Sequence, residues 1–334
     1  MSYLQAVVIA LVQGVTELFP VSSLGHSVLV PAWLGGSWQT LVTQSSQPNS
    51  EASFYLAYIV ALHCATALAL LWFFRADWIR IIAGFLRSSA RIVRERRFST
   101  VDSDERLAWL IVLATVPVGA TGLALEHTFR TVFAKPTAAA AFLFINGLIL
   151  LAGERTRRRT AEPAVVRQRE PALVAAGGGT LPPPPPPART ERSVYDLAVA
   201  RESDLRISRI PYRDGLTIGL LQVLALLPGI SRSGITMVGG LWRGLDHEDA
   251  ARFAFLLATP VIFAAGALKL PSLFGAAGDE IHGQVLLGSL VCGVTAYFSV
   301  RFLVRYFETR TLTPFAVYCL IAGAASLIRF TVFS

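Results

Sequence analysis

Six stretches of this chain stay apolar for nearly the thickness of a bilayer, and nothing else in it restricts the fold as much. They run roughly over 54–74, 107–126, 137–153, 250–270, 284–305 and 312–331. A helix needs about 20 mainly apolar residues to cross the hydrocarbon core. Inside lipid no water satisfies the backbone, so such runs must close their hydrogen bonds as helices. Composition agrees: 53% of the residues are hydrophobic and 16% charged, against about 25% charged in soluble domains. The expected fold is an all-α polytopic membrane bundle. Two more apolar regions, 4–35 and 214–245, are broken near their middles by Pro, Gly and polar residues. Each arm is too short to cross alone, so both are expected as re-entrant helical hairpins beside six transmembrane helices.

Charge tests the hairpins. The net charge is +8, and its excess sits in 75–106 and in the stretch after 153. Basic loops on a membrane protein set topology, so no nucleic-acid partner is expected. Two hairpins place both loops, and the turn at 305–311, on one face. Two full spans would separate the loops. The basic face is then cytoplasmic and both termini lie outside. Within the first loop, Arg80, Arg87, Arg91 and Arg94 follow one helical face and Ile79, Ile82, Leu86 and Val93 mostly the other, as in a helix lying on the inner leaflet. Residues 154–210 combine charge, Gly and six consecutive prolines with little to bury, and read as a disordered cytoplasmic linker. No basic region precedes the first apolar run and no small-residue cleavage site follows it, so a cleavable signal is not expected. Cys64, Cys292 and Cys319 each sit in an apolar run and read as packing residues.

The linker divides the chain into a first half, 1–153, and a second, 211–334. At a constant offset of 209, residues 11–35 lie over 220–244 without a gap. Gln13 falls on Gln222, Ser22 on Ser231, Gly25 on Gly234, Trp33 on Trp242 and Gly35 on Gly244. Each hairpin precedes three spans, and an odd number of crossings inverts the second copy. Inverted repeats with broken helices place their site where the repeats meet near the midplane.

The breaks are where the chemistry lies. "TELFPVSSLGHS" brings Glu17, Ser22, Ser23 and His26 to one tip; "LLPGISRSGITM" brings Gly229, Ser231, Arg232, Ser233, Gly234 and Thr236 to the other. An ionisable group at membrane depth costs at least ~2.5–3.5 kcal/mol, so three without a task are improbable. Arg with Gly and Ser at a turn into a helix makes a phosphate cradle from a guanidinium fork and free N–H groups. A carboxylate and an imidazole opposite it are materials for acid–base or metal-assisted phosphoryl chemistry. His26, past the turn at Pro20 and Gly25, is expected to face the same pocket as Glu17, either moving protons or attacking phosphorus; Ser23 and Ser231 are the alternative nucleophiles.

"QGVTE" followed by "PVSSLGH", with "PGISRSGIT" in the second half, resembles the bacitracin-resistance family of undecaprenyl-diphosphate phosphatases. The likeness continues through "FLLATP" and "PFAVY" and covers nearly all of the chain outside 154–210. It implies a multi-pass enzyme of the bacterial plasma membrane, open to the outer face. Such an enzyme hydrolyses the C55 diphosphate to the monophosphate, recycles the carrier lipid for the cell wall and confers bacitracin resistance. It also implies a divalent cation, Mg2+ or Ca2+, with Glu17 and Gln13 as candidate ligands, and a homodimer is a further expectation. Many members carry Glu where this chain has Gln13.

Plainer roles compete. Glu17 and Arg232 can neutralise each other, and the hydroxyl residues can serve packing and capping. His63, in mid-span, is expected to hydrogen-bond across helices or to join the site. His127, His247 and His282 lie near span ends and read as solvated, and Lys269 as snorkelling. Trp33, Trp72, Trp78 and Trp242 read as interfacial or packing aromatics. A carrier that flips a lipid phosphate would share the architecture and the cradle, yet has no use for a proton donor or hydrolytic water. Phosphate release in detergent separates the two.

Overall fold

A computed structural model describes residues 1–45, 54–133, 135–175, 189–269 and 281–332. All regular structure among them is helical, in the order α1 (Tyr3–Thr16), α2 (Ser23–Leu34), α3 (Gly36–Ser45), α4 (Phe54–Phe73), α5 (Arg75–Glu95), α6 (Ser103–Phe133) and α7 (Pro136–Ala175). Then follow α8 (Arg189–Ser208), α9 (Tyr212–Gln222), a 3-10 turn (Val223–Leu226), α10 (Arg232–Trp242), α11 (His247–Lys269), α12 (His282–Thr309) and α13 (Thr313–Val332). Among the described residues five helices, within α6, α7, α11, α12 and α13, are long and apolar enough to cross a membrane. The chain turns by 87° between α4 and α5, and that pair counts as a sixth if taken as one broken span. This is the build of a multi-pass membrane protein, and each apolar stretch of the sequence falls within one of its helices.

The two interrupted regions are each a pair of short helices meeting at a polar turn. Their caps match. Ser22 Oγ accepts the Gly25 N–H at 3.2 Å to cap α2, and Ser231 Oγ accepts the Gly234 N–H at 3.2 Å to cap α10. At the far ends Gly35 (φ 67°) and Gly244 (φ 88°) both take positive φ. α1 packs against α12 and α9 against α6, while α7 and α13 pack along each other. The core beneath the tips includes Leu18, Leu143, Leu150, Met237, Val238 and Phe253, all fully or nearly buried. Between helices in lipid such side chains stabilise through close packing rather than through removal from water.

α5 has the amphipathic form that the sequence predicts. Ile79, Ile82, Leu86 and Val93 are exposed, and the arginines opposite are paired. Arg87 binds Asp102 at 3.1 Å, Arg91 binds Glu105, and Arg80 binds Asp77, Asp104 and Asp204.

Those contacts correct the reading of 154–210. The described part of that stretch is helical, through Ala175 in α7 and again in α8; the six prolines lie outside the described residues. Ser203, Asp204, Ile207 and Ser208 are buried. Asp204 binds both Arg80 (2.8 Å) and Arg252 (2.8 Å), and Arg206 binds Asp249 at 2.6 Å. The packed second half therefore begins before 211. Its helix is tied down by ion pairs between residues far apart in sequence, which a local reading of polarity does not register. His247 is corrected too: it is buried, with Nε2 2.9 Å from Glu154, and Glu154 also accepts from the Leu312 N–H at 3.0 Å. His282 is exposed as expected, and the side chains of His127 and Lys269 lie outside the described residues.

Candidate active site

Glu17 caps the end of α1, one turn after Gln13, so the two side chains share a face. It is 7% exposed, and its carboxylate is surrounded by hydrogen-bonding groups. Arg232 Nη2 donates to Oε1 at 2.6 Å, Gln13 Nε2 donates to Oε2 at 2.9 Å, and Ser23 Oγ donates to Oε2 at 2.5 Å. His63 Nε2 stands 3.4 Å from the same oxygen. These groups come from both broken regions and from α4. All but Gln13 border a cavity of about 160 Å³ lined by Glu17, Ser22, Ser23, His63, Ser231 and Arg232, with Val118, Leu226 and Ile262 among its apolar walls.

The cavity gathers positive and donor groups beside the Glu17 carboxylate. α2 and α10 both begin at it, and the first N–H groups of a helix have no intrahelical acceptor. Two positive helix ends and one guanidinium thus meet at a single place. Arg232 Nη1 is anchored on the Ala258 carbonyl at 3.0 Å, which fixes the plane of the fork. The one carboxylate present holds a serine hydroxyl at hydrogen-bond distance, the arrangement of a nucleophile and its base.

The other residues named from sequence serve the frame. Ser231 and Ser233 hydroxyls lie 3.0 Å apart, and Ser233 donates to the Phe19 carbonyl at 3.2 Å, stitching one tip to the other. Gly229 has φ 115°, and a Cβ there would stand 2.5 Å from the Ala139 carbonyl oxygen of α7. No larger residue fits without moving that helix. Its N–H is spent on Ser22 Oγ at 3.1 Å. Gly234 donates to its own cap, and Thr236 is buried in α10 off the cavity.

His26 is not where the sequence reading expects it. Its ring lines a second cavity of about 310 Å³ with Leu29, Val30, Trp33, Leu143 and Tyr318, while Glu17 and Arg232 line the first. The helix start sends the ring away from Glu17: Nδ1 lies 2.6 Å from the Ser22 carbonyl and Nε2 lies 2.7 Å from Tyr318 Oη. The histidine beside the carboxylate is His63. Its signal was present in the sequence, since an imidazole in the middle of an apolar span needs a partner. Asn146 was missed altogether. Fully buried in α7, it donates to the Pro20 carbonyl at 3.0 Å and accepts the Ser231 N–H at 3.0 Å, holding both tips at once. A lone neutral amide in an apolar run was its only mark.

The model of the family described as "Bacitracin resistance protein BacA" matches residues 6–325. The chain belongs to that family. A protein of Frankia alni named undecaprenyl-diphosphatase 2 is 59% identical, over 99% of this chain and 99% of its own length. An undecaprenyl-diphosphatase of Mycolicibacterium paratuberculosis is 56% identical over 98% and 97% of the two chains, and one of Acidiphilium cryptum 42% identical over 98% of each. The family match spans both broken regions, so every residue of the cavity falls inside it.

Proposed function

We propose that the chain hydrolyses undecaprenyl diphosphate to undecaprenyl phosphate and inorganic phosphate. The observation that carries the proposal is the junction of Ser23, Glu17 and Arg232 at two helix N-termini. Relatives at 56–59% identity along the whole chain bear the same activity in their names. The terminal phosphate enters the cavity and engages Arg232, whose fork matches phosphate oxygens bidentately. Contact with the phosphate draws Arg232 from Glu17 Oε1 and leaves Oε2 facing Ser23. Ser23 Oγ then attacks the terminal phosphorus and its proton passes to Glu17 Oε2. The bond from that phosphorus to the bridging oxygen breaks, and undecaprenyl phosphate leaves. Water hydrolyses the phosphoserine, releasing phosphate and returning the proton to Ser23. Arg232 and the helix ends stabilise the charge that develops on the transferring group.

A divalent cation belongs to this reading. Glu17 presents one carboxylate, and Gln13 keeps Oε1 buried without a hydrogen-bond partner. Among the described residues no three His, Cys, Asp or Glu side chains gather as a ligand set. These hard oxygen donors suit Mg2+ or Ca2+ and are too few for a protein-only site. Glu17 and Gln13 would hold such an ion only with further ligands from outside the protein, as Mg2+ is usually held. When bound, such an ion neutralises diphosphate charge.

The same proposal includes two inverted repeats in the plasma membrane, with re-entrant hairpins, six spans and the cavity reached from the outer face, acting on lipid as monomer or homodimer. The matched caps at Ser22 and Ser231 support the repeat. The Arg80–Asp204 ion pair and the hydrogen bonds from Arg106 to the Ser208 and Ile210 carbonyls support placing both basic segments on one side, which the hairpins require. Labelling of single cysteines at Ala90 and Lys135 from outside is expected to mark 135 alone; the reverse pattern contradicts the orientation. Activity is tested by phosphate release from undecaprenyl diphosphate by the purified protein in detergent, and no release at all would remove the hydrolase.

A further inference from the structure

Behind the first tip runs a chain of contacts that the chemistry above does not use. Ser22 has φ 72° and ψ 105°, a conformation that a residue with a Cβ holds only where its surroundings over-determine it. Here they do. Ser22 Oγ accepts the N–H groups of Gly25 and Gly229, and the Ser22 carbonyl lies 2.6 Å from His26 Nδ1 and 3.2 Å from the His26 N–H. A carbonyl can only accept, so Nδ1 carries the hydrogen. In the neutral ring Nε2 is then an acceptor, and the Tyr318 hydroxyl donates to it at 2.7 Å. The two rings are stacked, 5.8 Å between centroids and 14° between planes. Tyr318 belongs to α13, so the last helix of the chain reaches the first tip through this imidazole.

We infer that Tyr318 and His26 form a clamp that sets the Ser22 peptide and thereby aims Ser23 at Glu17. Both are positioning residues, and His26 transfers no proton to or from substrate. This rests on the reading of Ser23 and Glu17 as the reacting pair. Both nitrogens of His26 are engaged, by the Ser22 carbonyl and Tyr318, and its ring lines the second cavity while Ser23, Glu17 and Arg232 line the first. Ser23 follows directly on the strained residue. Release of the Ser22 carbonyl lets its φ return to the ordinary negative range, which rotates the start of α2 and takes the Ser23 hydroxyl off Glu17. A displacement of about 1 Å at a reacting group costs on the order of 10²-fold in rate.

The test compares the parent with Tyr318→Phe, His26→Asn and His26→Ala, all purified in detergent, by phosphate release from undecaprenyl diphosphate across a pH series. Tyr318→Phe loses one hydrogen bond and is expected to lower kcat about two- to tenfold with KM held. His26→Ala is expected to lower kcat on the order of 10²-fold. Asn places an N–H where the imidazole has Nδ1, so His26→Asn is expected to recover most of that loss. The shape of the pH–rate profile is expected to be the parent's in every variant. If His26→Asn is as slow as His26→Ala and its profile loses a limb, His26 is a proton-transfer group and the clamp is wrong. Full kcat in Tyr318→Phe overturns the part assigned to α13. Should the alanine variant fail to fold, the Phe and Asn variants decide alone. An inactive parent would instead remove the hydrolase reading, which none of the variant outcomes does.

Discussion

The two tips have one frame and two chemistries. Each turns into a helix capped by a serine hydroxyl three residues before a glycine, and each helix ends at a glycine with positive φ. At the first helical position the copies part: Ser23 stands where the other tip has Arg232. One tip brings a carboxylate and a hydroxyl, and the other brings a cation. Neither alone can both bind a phosphate and attack it. The comparison teaches that the repeated part holds geometry while the proposed reactive groups sit at unrepeated positions, where the tips meet.

Predictions follow that division, beginning with the reactive positions. Arg232→Lys keeps the charge and loses the fork, so phosphate release is expected to fall about 10²–10³-fold. A lysine variant at the parent rate would mean that charge alone suffices at the second tip. Asn146→Leu breaks the frame without touching a reactive group. It leaves the Ser231 N–H unpaired in the core, at about 1–3 kcal/mol, and the Pro20 carbonyl with only the weak Cys319 thiol at 3.8 Å, and is expected to lower Tm together with turnover. Unchanged Tm would show that the tips hold their spacing without α7.

Away from the tips the expected effect on chemistry is least. Asp204→Ala removes three charge-assisted hydrogen bonds, one from Arg80 and two from Arg252, at about 1.5–3 kcal/mol each, while Asp77 stays with both arginines and Asp104 with Arg80. The expectation is a large drop in Tm, with kcat of the surviving folded fraction near the parent's. Removal of 160–188 spares the contacts described for this region, which lie at 203–210, and should change neither quantity. A deletion that remains folded and loses turnover would give that segment a role in the reaction.

Much of this was legible in the sequence because lipid leaves the chain few choices. Apolar length marks the helices, and polar residues inside an apolar run mark the breaks. Glu17, Ser22, Ser23, Ser231 and Arg232 were found in this way and do meet. His26 and His63 were harder. The His26 ring is held by the Ser22 carbonyl within its own turn and by Tyr318, 292 positions further on, and no local spacing contains the second. Asn146 looks like an isolated polar residue until both of its partners are in place. Asp204 lies in a stretch that reads as solvated, because its arginines come from α5 and α11. The carrier alternative finds no support among the relatives, which are named as diphosphatases.

The central claim is that Glu17 and Arg232, from opposite tips and 2.6 Å apart, work as one unit. A double-mutant cycle on phosphate release, with Glu17→Gln, Arg232→Gln and the pair, addresses it directly. Groups acting as a unit are strongly non-additive, since once either is lost the other has little left to contribute. The prediction is a severe loss in each single variant and a double variant about as slow as the slower of the two. Losses that multiply in the double variant would mean that the two tips act independently, and would contradict a site made by their meeting.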